Sequence, residues 1–211
     1  MNIAFLGHGN VGGALAAHVQ RLGHLVTIAT ADAQSASLAR LRARCPGLAV
    51  AAPTAAVRAA ELVALAVPFD AHAQALAPLR QELAGKVLLD CTNPVGPGLS
   101  HGLGSAESGS ERIQRLVPEA RLVKAFTVYG FENFEQPPAP HGDLRPAMFL
   151  CGGDVDAKAK VAGLIAAMGF EPVDVGDLTQ ALSLEHMTLL WIRMVRAGGA
   201  SAKTMWARWP G

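Results

Sequence analysis

The chain alternates short apolar runs with amphipathic stretches along most of its length. Apolar runs at 1–6, 25–29, 48–51, 61–67, 86–90 and 121–126 are predicted to be β-strands. The stretches at 14–22, 35–44, 54–60, 71–83 and 108–117 are predicted to be helices, most clearly where apolar residues recur on one face. Regular alternation of strand and helix is typical of a doubly wound α/β fold, in which a parallel sheet carries helices on both faces.

A G-x-G-x-x-G motif at 7–12 follows the first predicted strand and opens the first predicted helix. Gly7 allows a sharp turn off the strand, Gly9 lets the backbone approach a pyrophosphate, and Gly12 lets the helix pack on the strand. The free N–H groups of the helix then face the phosphates. Asp32 follows Gly12 by twenty residues, the offset at which such folds place an acid on the adenine ribose 2′-OH. The sequence therefore predicts a dinucleotide site.

Two further strand ends are expected at the same edge of the sheet. Val67, Pro68 and Phe69 follow one buried run, and Asn93 and Pro94 follow the next. Proline also simply terminates strands, which is the plainer interpretation of both ends. Their position favours a second role as the floor and wall of a nicotinamide site, because ligands bind outside the carboxyl ends of parallel strands.

Composition favours small-molecule partners. The net charge is +1 and Lys and Arg are not clustered, which argues against nucleic acid and against an anionic membrane surface. No long apolar stretch is free of charges and helix breakers, and the N-terminus enters a strand without a signal segment, so a cytoplasmic protein is expected.

Cysteine, histidine and serine usage excludes several classes of site. Cys45, Cys91 and Cys151 are an odd number without C-x-x-C spacing, so neither a disulfide framework nor a zinc site is expected, and the histidines show no metal-ligand spacing. The glycine-rich loop at 95–105 contains Ser100, His101 and Ser105 but lacks the G-x-S-x-G turn of hydrolases.

Several short segments together resemble one enzyme family. They are Gly9 to Gly12, Asn93-Pro94, Val123 to Phe126, Cys151 to Asp154, and Gly169 to Gly176. In this order they are similar to the F420-dependent NADP oxidoreductase family, whose domain also resembles pyrroline-5-carboxylate reductase and the cytosolic domain of membrane ferrireductases. The resemblance covers nearly the whole chain.

The resemblance implies a Rossmann domain at 1–130 and a small C-terminal extension at 131–211 that completes the sheet and carries a helix for a homodimer. It implies hydride transfer between NAD or NADP and a second ring, coenzyme F420 or a flavin. Carried over by position, the pyrophosphate site consists of Gly7, His8, Gly9, Asn10, Val11 and Gly12, and the adenosine site includes Thr30. The nicotinamide site includes Val67, Pro68 and Ala125. The second ring is expected at Phe126 to Tyr129.

Two departures from the family bear on specificity. NADP-binding members have Ser followed by arginines where this chain has Thr30, Ala31 and Asp32, so NAD(H) is favoured over NADP(H). Alternatively, Asp32 starts the next helix and Arg40 or Arg42 reaches the cofactor. Thr127 stands where the family commonly has Asn or His, which leaves the hydride acceptor open.

Three residues are candidates for catalysis: Thr127, Tyr129 and His186. Tyr129 either donates a hydrogen bond to the acceptor ring or packs, and His186 either donates a proton or lies on a core or dimer helix at 178–195. In the tail, Trp206 and Trp209 either dock on a partner subunit or are disordered.

The function predicted on these grounds is that of a nicotinamide-dependent oxidoreductase with a (deaza)flavin-type acceptor. Ring-to-ring hydride transfer needs little acid–base help, and no nucleophile or carboxylate pair is visible. The alternatives are an imine or carbonyl reductase of a small metabolite and a non-catalytic dinucleotide-binding redox sensor.

Overall fold

A computed structural model describes residues 1–136, 138, 142 and 144–209. In it, eight strands form one sheet in the order β3-β2-β1-β4-β5-β6-β7-β8. The strands are β1 (Asn2–Leu6), β2 (Leu25–Ala29), β3 (Ala49–Ala51), β4 (Leu62–Leu65), β5 (Val87–Asp90), β6 (Arg121–Lys124), β7 (Ala147–Gly152) and β8 (Glu171–Asp174). Strand order reverses between β1 and β4, so a crevice opens beyond their carboxyl ends.

Helices cover both faces of the sheet. They are α1 (Asn10–Arg21), α2 (Ala36–Arg44), α3 (Pro53–Ala59), α4 (His72–Leu76), α5 (Arg80–Leu83), α6 (Gly109–Leu116), α7 (Val155–Ala167) and α8 (Ala181–Arg196). The single helix predicted at 71–83 is instead two helices joined by a 3₁₀ turn at Ala77–Leu79. Pro78 in that turn has no N–H to donate, which interrupts α-helical bonding.

The core has two layers, one on each face of the sheet. In β1, Ile3 and Phe5 pack on one side with α1, α2 and α7, while Ala4 and Leu6 pack on the other with α3 to α6. All four residues of β4 and of β5 are buried. The doubly wound α/β fold predicted from the sequence is confirmed.

One strand departs from the predicted parallel sheet. β7 runs antiparallel to β6, pairing Val123 with Gly152 and Lys124 with Cys151. A parallel neighbour needs a helical crossover, and the described part of the connection between β6 and β7 holds only a 3₁₀ turn at Phe131–Asn133. The chain therefore enters β7 from the carboxyl edge of β6. The α7 crossover then makes β8 parallel to β7, so the C-terminal extension continues the sheet.

The C-terminal tail packs on its own chain. The Trp206 carbonyl accepts a hydrogen bond from Ala147 N (2.8 Å), and Pro146 pairs with Ala207. Trp206 is half-buried against the core, whereas Trp209 is 82% exposed. Trp206 therefore packs on its own chain, and docking of the tail on a partner subunit stays a prediction. Across the described residues, every helix is too short or too polar to cross a lipid bilayer.

Candidate dinucleotide-binding site

Three strand ends enclose a groove of about 490 Å³ at the topological switch. Nine of the predicted cofactor-binding residues line it: Gly7, His8, Gly9, Asn10, Val11, Val67, Pro68, Phe69 and Asn93. Four further lining residues were not predicted from the sequence: Ser37, Ala66, Cys91 and Thr92. The groove thus combines the glycine loop after β1 with the ends of β4 and β5.

The three motif glycines meet different surroundings. Gly7 has φ +99° and touches the end of β4, because a Cβ there would lie 2.5 Å from the Ala66 carbonyl. A Cβ on Gly12 would lie 2.2 Å from the Gly7 carbonyl oxygen. Gly9 is exposed, and a Cβ on it would meet nothing within 4 Å. The loop is closed where protein packs on protein and open where a pyrophosphate would approach.

The first turn of α1 suits an anion. Gly9 is its N-cap residue and provides no side-chain cap for the free N–H groups. Such N–H groups and the helix dipole favour a phosphate. The groove and this helix end therefore fit a dinucleotide.

His8 is held at the edge of the groove. Its Nε2 lies 2.8 Å from Ser35 Oγ, and its Nδ1 is buried without a partner among the described residues. Burial lowers the pKa of His8, against an opposing effect of Asp32. The ring is therefore neutral at pH 7 and close enough to Asp32 to sense its charge.

The segment after β2 presents Thr30 at the strand end and Asp32 in a turn. Thr30 Oγ1 accepts from Asp32 N (3.1 Å), and Asp32 Oδ1 accepts from Gln34 N (3.0 Å). Asp32 is exposed, and Ser35 is the N-cap residue of α2. Asp32 therefore neither ends β2 nor starts the helix.

Two arginines of α2, Arg40 and Arg44, lie near the glycine loop. Arg40 lines a neighbouring cavity of about 360 Å³ with His8, Gly9 and Ser37. Arg44 lines the same cavity but pairs with Glu135 at 2.8 Å. Arg42 is exposed outside that lining.

At the far end of the groove, Asn93 is fixed by its neighbours. Its Nδ2 donates to the Thr127 carbonyl (3.2 Å), and its Oδ1 lies 3.1 Å from Thr188 Oγ1. Phe126 adopts φ +57°, an uncommon backbone conformation for a bulky residue, directly before Thr127. Pro94 and Ala125, predicted as cofactor contacts, are buried behind this wall and outside the groove lining.

The three predicted catalytic residues are not brought together in the groove. Thr127 lies behind Asn93, and its buried Oγ1 has no partner among the described residues. His186 is exposed on α8, with its ring 5.4 Å from that of His101. Neither is a lining residue.

Tyr129 lies elsewhere, which corrects the role predicted for it. Its hydroxyl donates to the Ala147 carbonyl (2.6 Å) and accepts from Trp206 N (3.0 Å). Burial raises the pKa of Tyr129 well above its ordinary value. The residue anchors the C-terminal tail, and this hydrogen bonding leaves no phenol proton for an acceptor ring.

A buried charge cluster, formed by Asp90, Lys124, Glu185 and His101, lies behind the groove. Lys124 Nζ is 3.1 Å from Asp90 Oδ2 and 3.0 Å from Glu185 Oε1, and Glu185 Oε2 is 2.8 Å from His101 Nε2. Lys124 and Asp90 side chains are completely buried. The cluster ties β5, β6, the glycine-rich loop and α8 together.

Both partners of the central pair are charged. Burial alone would lower the pKa of Lys124, but Asp90 and Glu185 outweigh it and raise that pKa. Burial alone would raise the pKa of Asp90, yet Lys124 and hydrogen bonds from Ser110 and Thr92 bring it below its usual value. In the sequence, Asp90, Lys124 and Glu185 each stand within or at the end of an apolar run. Their positions along the chain could not show that the three charges meet in the fold.

Comparison with known proteins identifies the family. The model of the family described as NADP oxidoreductase, coenzyme F420-dependent, matches residues 2–94. The crystal structure of a candidate F420-dependent NADP-reductase from Arthrobacter sp. FB24 has a TM-score of 0.85 and 33% identity, covering 96% of each chain.

Two curated relatives match over part of their length. Metalloreductase STEAP3 from Rattus norvegicus is 34% identical over 134 residues, 64% of this chain and 26% of that protein. The F420-dependent NADP reductase of Methanocaldococcus jannaschii is 24% identical over 147 residues, 65% of this chain and 63% of that protein. The chain thus spans about a quarter of the metalloreductase and under two thirds of the reductase. With its fold, its glycine loop and its full-length match to the Arthrobacter protein, the chain belongs to the coenzyme F420-dependent NADP oxidoreductase family of NAD(P)-dependent oxidoreductases.

Proposed function

We propose that this protein transfers hydride between a nicotinamide dinucleotide and a flavin or deazaflavin ring. The observation that carries the proposal is the chemistry of the groove lining. Among the described residues, thirteen line the groove; they include no Asp, Glu, Lys, Arg or Tyr, and His8 is the one imidazole among them. Cys91 is buried, and burial raises the pKa of its thiol far above neutrality. Hydride transfer between stacked rings suits such a site, because alignment and exclusion of water supply most of the rate.

The chain's own residues would hold and orient the dinucleotide. The N–H groups at the start of α1 and the open face of Gly9 would bind the diphosphate. Val67, Pro68 and Phe69 form an apolar wall, and Asn93 is a rigid opposite wall because Thr127 and Thr188 fix its side chain. The bound dinucleotide supplies or receives the hydride.

We propose that NADH is preferred over NADPH. The exposed carboxylate of Asp32 lies close enough to affect His8 and would repel a 2′-phosphate. A ribose 2′-OH could instead donate to that carboxylate. Arg40 beside the loop is the feature that favours NADPH.

Separate titrations with NADH and NADPH, in wild type, Asp32→Ala and Arg40→Ala, test this preference. We expect tighter NADH binding in wild type, and an Asp32→Ala variant that loses affinity for NADH while gaining affinity for NADPH. NADPH bound at least tenfold more tightly, and weakened by Arg40→Ala, would overturn it.

The second ring is proposed to be coenzyme F420, which the names of the Arthrobacter and Methanocaldococcus relatives suggest, or a flavin. An imine or carbonyl reductase would need a proton donor at the reacting atom, and among the lining residues that the structure describes His8 is the one candidate imidazole for that role. Oxidation of NADH and NADPH should be followed with coenzyme F420, FMN, FAD and a panel of imines and carbonyls. Turnover with a ring acceptor supports the proposal. Turnover with imines or carbonyls alone contradicts it, and tight binding without turnover favours a redox sensor.

A homodimer, implied by the resemblance, stays a prediction. α8 buries Leu184, Leu189 and Trp191 against its own chain and leaves Leu190 half exposed. Light scattering of the purified protein would decide between monomer and dimer.

A further inference from the structure

The charge on His101 follows from its hydrogen bonds. Its Nδ1 accepts from the backbone N–H groups of Leu103 (3.3 Å) and Ser105 (3.2 Å). A nitrogen that accepts two N–H donors carries no proton, so the ring proton lies on Nε2. That proton is donated to Glu185 Oε2 at 2.8 Å. His101 is therefore a neutral imidazole in this arrangement.

Both carboxylates of the cluster are ionised. Glu185 accepts from His101, from Lys124 and from Gly109 N (2.9 Å). Asp90 accepts from the Thr92 hydroxyl (2.6 Å), the Thr92 N–H (2.9 Å), the Ser110 hydroxyl (2.6 Å) and Lys124. An oxygen pair that accepts three or more donors is a carboxylate.

The buried charge cluster consequently carries an excess negative charge. Two carboxylates face one ammonium, and the imidazole contributes none. The N-terminus of α6 offsets part of this charge, since Gly109 directs its N–H at Glu185. On the α4 side, burial lowers the pKa of His72, which keeps that ring neutral at pH 7 despite Asp90 and Glu185. The exposed His186 ring lies beyond His101 and away from the cluster's interior.

The cluster lies directly behind the nicotinamide end of the groove. Asp90 bonds the side chain and backbone of Thr92, which lines the groove. Glu185 bonds Gly109, and a Cβ on Gly109 would lie 2.8 Å from the ring of Phe69, another lining residue. Thr92 thus separates Asp90 from the groove, and Gly109 and Phe69 separate Glu185 from it.

We propose that Glu185 and Asp90 act as electrostatic positioning residues that favour the oxidised, cationic nicotinamide ring over the reduced, neutral one. This inference rests on the proposed function. When C4 of the reduced ring gives up a hydride, which is a proton with two electrons, the ring becomes a cation. The flavin or deazaflavin acceptor takes the hydride and then a proton from water. The buried negative charge stabilises the developing cation, so the site favours NAD(P)H as the donor and reduction of the acceptor.

The affinity ratio of oxidised to reduced cofactor measures this effect. Wild type, Glu185→Gln and Glu185→Asp should be titrated with NAD+ and NADH, and in parallel with NADP+ and NADPH. Glu185→Gln leaves a balanced Asp90–Lys124 pair, whereas Glu185→Asp keeps the charge. In Glu185→Gln we expect oxidised cofactor to weaken about three- to tenfold relative to reduced cofactor, because one buried negative charge behind the ring site is removed. The ratio should be retained in Glu185→Asp.

A purely structural role would weaken both redox forms equally, and an unchanged ratio in Glu185→Gln overturns the inference. If Glu185→Gln does not fold, the wild-type ratio still tests it. Oxidised cofactor bound about as tightly as reduced cofactor supports the inference, and reduced cofactor bound more than tenfold tighter overturns it. Failure of all four dinucleotides to bind would refute the proposed function itself, which is a different result from binding without redox discrimination.

Discussion

Gly12 lies against the carbonyl oxygen of Gly7, so closely that a Cβ on Gly12 would be 2.2 Å from it. This contact fixes the start of α1 on the turn that leaves β1. The turn itself touches the end of β4 through Gly7. The position of the glycine loop in the groove is therefore set by backbone packing, and the open face of Gly9 is left for a ligand.

Gly12→Ala should destabilise the fold by about 2 kcal/mol or more, because a methyl group cannot fit beside a rigid backbone oxygen. Gly163→Ala is the matched control. Gly163 also lies within a helix, but its Cβ would meet nothing within 4 Å. It should stabilise the protein by about 0.5–1 kcal/mol, since Gly is a poor helix former. Urea unfolding measures both, and equal effects would contradict the packing described.

Lys124→Met should cost about 3–5 kcal/mol of folding free energy, because it leaves Asp90 and Glu185 buried without their cation. The control is Arg58→Ala, which removes a surface pair with Glu82 in which the arginine is 73% exposed. That loss should be under about 1 kcal/mol. Chemical denaturation of both variants measures the two free energies of unfolding. A loss in Lys124→Met as small as that in the control would contradict the role given to this lysine.

Stability should fall as the pH drops below 6.5, in part because of His72. Burial holds the pKa of His72 below its ordinary 6.5, although Asp90 opposes the shift. Below that pH the unfolded chain binds more protons than the folded one, so acid favours unfolding. Lowered pKa values at His8, His18 and His24 add to the same slope.

His72→Leu removes the share of that slope that belongs to His72. Neither ring nitrogen of His72 has a partner among the described residues, so the variant should also gain about 1 kcal/mol at pH 7. The free energy of unfolding should be measured from pH 8 to pH 5 in both proteins. The two curves should be parallel above pH 7.5, and the gap in favour of the variant should widen below pH 6.5. Curves that converge or cross below pH 6.5 would contradict a lowered pKa at His72.

Tyr129→Phe should lower stability by about 1–3 kcal/mol, because it leaves the Trp206 N–H and the Ala147 carbonyl without the phenol hydroxyl. Turnover with the preferred acceptor should change by less than about twofold, since the hydroxyl lies outside the groove lining. Thermal unfolding measures the change in stability, and steady-state kinetics measure the change in turnover. Lost turnover at unchanged stability would restore the catalytic role predicted from the sequence.

The sheet and the groove were predictable because they depend on local signals. Apolar runs identified β1 to β6, and the helix predicted at 108–117 begins in the structure at a capping box in which Ser108 and Glu111 make both reciprocal bonds. Parallel strands end at one edge, so the glycine loop, Val67 to Phe69 and Asn93 could be grouped without coordinates.

Long-range contacts were not predictable in the same way. The antiparallel entry of β7 depends on the path of a connection without a crossover helix, and the tail contact of Tyr129 joins residues far apart in the sequence. The cluster of Asp90, Lys124 and Glu185 joins three different elements. Each charge is visible in its own apolar run, but only the fold shows that they neutralise one another in part.

Fluorescence titration with NADH and NADPH shows whether the glycine loop and groove bind a nicotinamide dinucleotide. Wild type, Gly9→Ala and the control Gly153→Ala should be compared, since a Cβ meets nothing within 4 Å at either glycine. We predict saturable binding in wild type and in Gly153→Ala, and at least tenfold weaker binding in Gly9→Ala with its unfolding midpoint unchanged. No binding by wild type, or equal binding by Gly9→Ala, would contradict the claim.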